Sequence, residues 1–146
     1  MRRRAETGSA LIEVTWLSIL LLIPLVYLLL AVFDVQRSAF GLSAASRAAA
    51  RAFVLAPTVA EGRARARAAA EVALHDQGLS LSDARLVVRC RPDPRRCLSP
   101  GSTVVVDLDL GVALPLMPSA LGANTPTIRV RAEHAVPYGL FRQDRS

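Results

Sequence analysis

The chain has 146 residues, 52% of them hydrophobic, and its 18 basic residues, all arginine, outnumber 12 acidic ones for a net charge of +6. That length holds one small domain plus accessory segments. The arginines are dispersed among carboxylates, aromatics make up only 5%, and no nucleic-acid motif appears, so the charge reads as coding bias and not as a nucleic-acid footprint.

Three arginines, Arg2 to Arg4, open the chain, and from Ala10 to Phe33 it reads ALIEVTWLSILLLIPLVYLLLAVF. As an α-helix this run is about 36 Å long, enough to cross a hydrocarbon core of about 30 Å with some tilt. A secretory signal has an apolar stretch of about 7–15 residues and a small-x-small cleavage site. This run is longer and ends in FDVQR, so it reads as an anchor. The arginines ahead of it keep that end cytoplasmic by the positive-inside bias, which puts the C-terminal part outside the cytoplasmic membrane. Pro24 removes one backbone donor, which membrane helices tolerate.

Glu13 is the one ionisable side chain in the run, and an intramembrane carboxylate is by default a functional candidate. Gly8 lies five residues before it. A cut after Gly8 makes Ser9 the first residue and Glu13 the fifth, and the new α-amino group is a cation that Glu13 can neutralise, in its own chain or a neighbour's.

In these features, a basic leader MRRRAETG, a glycine, a glutamate five residues on and an unbroken apolar helix, the chain resembles a type IV prepilin. The resemblance implies cleavage after Gly8 by a membrane aspartyl prepilin peptidase and a role for Glu13 in setting helix register during assembly. With the helical DVQRSAFGLSAASRAAARAFV that follows, it narrows to the TadE-like family, the pseudopilins of tight-adherence (Flp) pilus assembly. The likeness covers roughly residues 7 to 54. Val14 stands where major Flp pilins carry tyrosine, which points away from the major subunit. Many members of the family also place a proline soon after the glutamate, whereas here it arrives at Pro24.

Residues 58 to 77, TVAEGRARARAAAEVALHDQ, read as a second helix. Thr58 and Glu61 fit a capping box and Gly78 a C-terminal stop, while Gly62 weakens the first turn. Val59, Ala66, Ala70, Ala73 and Leu74 share one face, and Arg63 and Arg67 fall on the solvated side.

Three runs then alternate with period two: Ala84 to Arg91, Ser102 to Val112 and Thr127 to Val136. Each has one apolar face, the pattern of a half-buried antiparallel sheet. Asp107 and Asp109 are expected to pair across strands with Arg129 and Arg131. Residues 115 to 126 read as a Pro-rich loop in which MPSALGAN forms a short helical turn, and the tail PYGLFRQDRS as poorly ordered.

Cys90 and Cys97 bracket RPDPRR between the first two strands. Outside the cytoplasm the simplest state of two cysteines is one disulfide, worth about 2–3 kcal/mol for so short a loop. The gap is not CxxC, although a redox pair stays open. Zinc needs two more ligands, and His75 and His134 are distant and isolated.

The expected architecture is α+β: a long N-terminal transmembrane helix extending outside the membrane, a second helix and a small three-stranded antiparallel sheet. The division is a leader over 1–8, an anchor and extended helix over 9–55, and a small extracytoplasmic domain over 56–146. No phosphate loop, nucleophile elbow or triad motif appears, so neither enzyme activity nor a cofactor is expected. The resemblance implies a pseudopilin-like part in pilus assembly or a related secretion system. Its partners are the prepilin peptidase, other pilin-like subunits, inner-membrane assembly proteins and the lipid bilayer. The competing reading is an uncleaved, single-pass anchored binding or sensor domain, for which Gly8 and Glu13 carry no meaning.

Overall fold

The computed structural model describes residues 6–113 and 127–146. The fold is α+β, with helix α1 (Glu6–Val54), helix α2 (Val59–His75) and strands β1 (Ala84–Arg91), β2 (Thr103–Ala113) and β3 (Thr127–Pro137) in chain order. The Pro-rich loop and helical turn expected over 115–126, and the arginines of the leader, lie outside the described residues.

Helix α1 runs 49 residues without a break, through Pro24 and across the junction at Phe33 and Asp34. Its two halves follow different rules. From Leu11 to Phe33 the side chains point outward nearly all round, Ala31 being buried, and the most apolar 18-residue window is only 6% buried. This is one helix near the N-terminus long and apolar enough to span a membrane. Beyond Asp34 a single stripe turns inward: Ser38, Leu42, Ala45, Ala49 and Phe53, flanked by Ser46, Ala50 and Val54, are all buried. Steps of three and four residues keep such positions on one side of an α-helix. Alanine fills much of this half, which sustains the helix and lets its neighbours approach closely.

Helix α2 follows after a short connection and packs back along α1. Its first turn is capped by the Thr58 hydroxyl, which accepts from the Glu61 amide at 3.2 Å. The reciprocal half of the expected capping box is replaced, because the Glu61 carboxylate turns to Arg65 one turn on. Gly62, Ala66, Ala70 and Leu74 form the buried face, while Arg63 and Arg67 are exposed as expected. Gly62 is more than a weak helix former. A Cβ there would lie 3.2 Å from the Phe53 ring and backbone oxygen, so the glycine lets α2 close onto α1. The helix ends in a Schellman arrangement: Leu79 N–H donates to Leu74 O, Gly78 N–H to His75 O, and Gly78 takes φ 68°.

The sheet order is β1-β2-β3, antiparallel throughout. The register sets Leu86, Leu108 and Ala132 side by side, and likewise Cys90, Val104 and Val136. These positions face the helices and join Leu42, Phe53, Leu74 and Tyr138 in one core. The outer face carries arginines and carboxylates from all three strands. Arg131 donates to Asp109 at 2.6 Å, one of the pairs expected from sequence. Asp107 differs from expectation, since its partner is Arg89 of β1, donating through Nε and Nη2 at 2.9 and 2.6 Å. The register explains the choice. Asp107 lies directly opposite Glu133 on β3, and Arg89 reaches between these like charges, 3.8 Å from the Glu133 carboxylate.

Cys90 and Cys97 form a disulfide with Cα atoms 5.1 Å apart, closing the loop after β1. The tail, expected to be loose, is held in place. Tyr138 is almost fully buried and donates to Gln143 O at 2.8 Å, and Arg145 N–H donates to Leu98 O at 2.9 Å. Arg142 stacks over the Tyr138 ring and donates to Val54 O at 3.0 Å, satisfying a carbonyl that the end of α1 leaves open.

Candidate functional site

The site read from the sequence lies at the start of α1. Gly8 and Ser9 fall in its first helical turns, so the helix is continuous across the Gly8–Ser9 bond. The first turns of a helix have no intrahelical acceptor for their N–H groups, which makes them the easiest part to unwind. Glu13 is about 7.5 Å further along the axis from Gly8, five residues at the α-helical rise.

A polar inventory of the apolar half singles out Glu13. The Thr15 hydroxyl donates to Leu11 O at 2.8 Å and the Ser18 hydroxyl to Val14 O at 2.7 Å, so both are satisfied inside their own helix. The Tyr27 hydroxyl is shielded and has no partner among the described residues. The Glu13 carboxylate is exposed, with no hydrogen bond or ion pair among the described residues. A charge in hydrocarbon costs several kilocalories per mole by most scales unless it is paired or reaches the interface. The Thr15 and Ser18 hydroxyls thus need nothing from outside the helix, whereas in hydrocarbon the Tyr27 hydroxyl would need an acceptor and Glu13 a cation, a proton or water.

The structure brings the two cysteines together and leaves them far along the chain from Gly8, Ser9 and Glu13, so the sequence-derived residues form two separate places. The disulfide locks the loop over residues 90–97 beside the tail. There Arg96 Nη2 donates to Asp144 Oδ2 at 2.6 Å, and the Ser99 hydroxyl donates to Asp144 Oδ1 at 3.1 Å. Asp144 is held well below the ordinary carboxylate range, first by the Ser146 hydroxyl, then by the Ser146 amide and Arg96. Sequence reasoning missed this cluster, because an acid near a chain end carries no pattern that names its partners.

Among the described residues, no three His, Cys, Asp or Glu side chains converge to hold a metal ion. Comparison of the chain with models of known families, with curated proteins and with solved structures returns no match.

Proposed function

We propose that the chain is a non-catalytic, pseudopilin-like component of a tight-adherence pilus assembly system or a related secretion machine. The observation that carries this reading is α1. One uninterrupted helix has a bare apolar half with a single unpartnered carboxylate, and its other half is the spine of a small α+β head. On this reading the apolar half lies in the cytoplasmic membrane with the leader inside and the head outside. The prepilin peptidase cuts after Gly8, and Glu13 meets the new α-amino group of Ser9 or of a neighbouring pilin-like subunit. The exposed apolar side chains find their partners in lipid and in the helices of other subunits and inner-membrane assembly proteins.

A second reading, an uncleaved anchored binding or sensor domain, draws on the continuity of α1 across Gly8 and Ser9. A peptidase needs that turn opened, whereas an uncleaved anchor does not.

N-terminal sequencing of the membrane-extracted chain, with and without the peptidase, separates the two. The pseudopilin reading expects Ser9 as the first residue when the peptidase is active, retention of the leader in Gly8→Ala, and cleavage but failed assembly in Glu13→Ala. A chain that still begins at Met1 beside an active peptidase removes the processing step. Normal pilus formation by Glu13→Ala removes the role of the carboxylate.

A further inference from the structure

A cleft of about 610 Å³ opens where α1 leaves its apolar half. Asp34 and Arg37 line it from α1, His75 from the end of α2, Asp83 from the turn before β1, and Leu110 to Ala113 from the end of β2. These elements meet there for a topological reason. Helix α2 returns antiparallel to α1, so its C-terminal end comes back to the level of Asp34, and the register places Ala84 beside Leu110. The cleft therefore sits at the end of the head that faces the apolar segment.

Two properties distinguish it from an ordinary solvated surface. It gathers two carboxylates, one guanidinium and one imidazole, yet none of the four forms an ion pair among the described residues. By contrast, on the outer sheet face Asp107 and Asp109 are both paired to arginines. Height is the second property. Arg37 follows Phe33, the end of the unbroken apolar run, by about 6 Å along the helix, and the headgroup layer on each side of a bilayer is about 5–7 Å deep. With the apolar half in lipid, the cleft is level with the headgroups.

We infer that this cleft binds the headgroup of a zwitterionic phospholipid carrying a primary ammonium, with the phosphate on Arg37 and the ammonium on Asp34 and Asp83. The inference rests on the membrane position proposed above and is independent of processing at Gly8. Guanidinium matches phosphate oxygens through several directed donors, with His75 beside it as a further donor. The two carboxylates accept the N–H groups of a primary ammonium. A quaternary ammonium has no N–H to give and is usually held by aromatic faces, and no Phe, Tyr or Trp lines the cleft among the described residues. A purely anionic headgroup would satisfy Arg37 but bring its charge against both aspartates.

The test is native mass spectrometry of the full chain released from mixed micelles that hold equal amounts of phosphatidylethanolamine, phosphatidylcholine and phosphatidylglycerol with matched acyl chains. The expected result is one retained phosphatidylethanolamine, favoured roughly tenfold over the choline lipid, as befits charge-assisted hydrogen bonds that only the primary ammonium makes. Asp34→Asn with Asp83→Asn, isosteric changes at the cleft wall, should abolish that preference. Arg37→Ala should lower retention of all three lipids. Equal retention of the ethanolamine and choline lipids, a preference for phosphatidylglycerol, or a preference that survives in the double variant overturns the inference. Alkaline extraction of cell membranes separates the two readings: a chain released into the soluble fraction breaks the membrane placement, whereas a retained chain without lipid preference breaks only the cleft.

Discussion

From Leu11 to Leu30 the leucine, isoleucine and valine side chains of α1 stand 45–71% exposed, whereas Leu42, Ala45, Ala49 and Phe53 of the same helix have no exposed surface. The backbone is one continuous helix in both regions. In the second half the surrounding protein supplies the apolar environment, and the first half lacks one. Burial inside a domain needs only a stripe, so Gln36, Arg37, Arg47 and Arg51 can stand on the rest of the circumference there. An apolar solvent on every side needs apolar residues all round, and residues 10–33 meet that demand at every position but a few. The comparison teaches that the two halves share a geometry and differ in what must surround them.

The most direct way to break this contrast is to truncate one large side chain in each half. Phe53→Ala should destabilise the head by about 3–5 kcal/mol, because it opens a cavity between α1 and Gly62 of α2. Leu21→Ala, outside that core, should leave the head's unfolding transition where it was. Chemical denaturation in mild detergent measures both, and equal shifts would show that the halves fold as one core. A smaller effect is expected from Cys90→Ser with Cys97→Ser. Opening a loop of sequence separation 7 should cost the head about 2–3 kcal/mol and leave the helicity of the apolar half unchanged. Loss of helicity there would tie the disulfide to the wrong half.

The smallest effect concerns acid. Asp144 has its folded value lowered from the usual 3.8, so its contribution is complete above that pH and fades as pH falls towards the folded value. Amide exchange at Arg145, whose N–H donates to Leu98 O, should therefore accelerate as pH drops below about 4, after correction for intrinsic rates. In Asp144→Asn that added dependence should vanish. Exchange in α1 should follow neither change, since among the described residues no carboxylate holds its buried half to the sheet. A parallel response in α1 would join the tail and the helix into one acid-sensitive unit.

Much of this fold is legible in residue order because its determinants are local. Period-two alternation located all three strands to within a residue, Thr58 and Gly78 marked the ends of α2, and a short loop between two cysteines located the disulfide. What the order of residues hides is contact across the chain. Gly62 reads as a flaw in a helix until Phe53 is placed against it. Asp107 has arginines on both neighbouring strands, and only the register opposite Glu133 shows why Arg89 is the one that serves it. The tail looks loose from composition, because its anchors (Val54 O, Leu98 O, Arg96) lie far back in sequence. Gly8, Ser9 and Glu13 are legible only as spacing, since Glu13 forms no hydrogen bond or ion pair among the described residues.

The passage of α1 from apolar segment to head has no joint, which makes the molecule a lever. The part of α1 between Asp34 and Val54 is about 30 Å long, so if the apolar half lies in a membrane as proposed, a tilt of about 20° there sweeps the far end sideways by about 10 Å. Arg142 grips the tip of that lever at Val54 O, and the end of the chain travels with it. On that placement, small angular changes imposed on the apolar half would become large, directed displacements of the head, since α1 runs from one half into the other as a single helix.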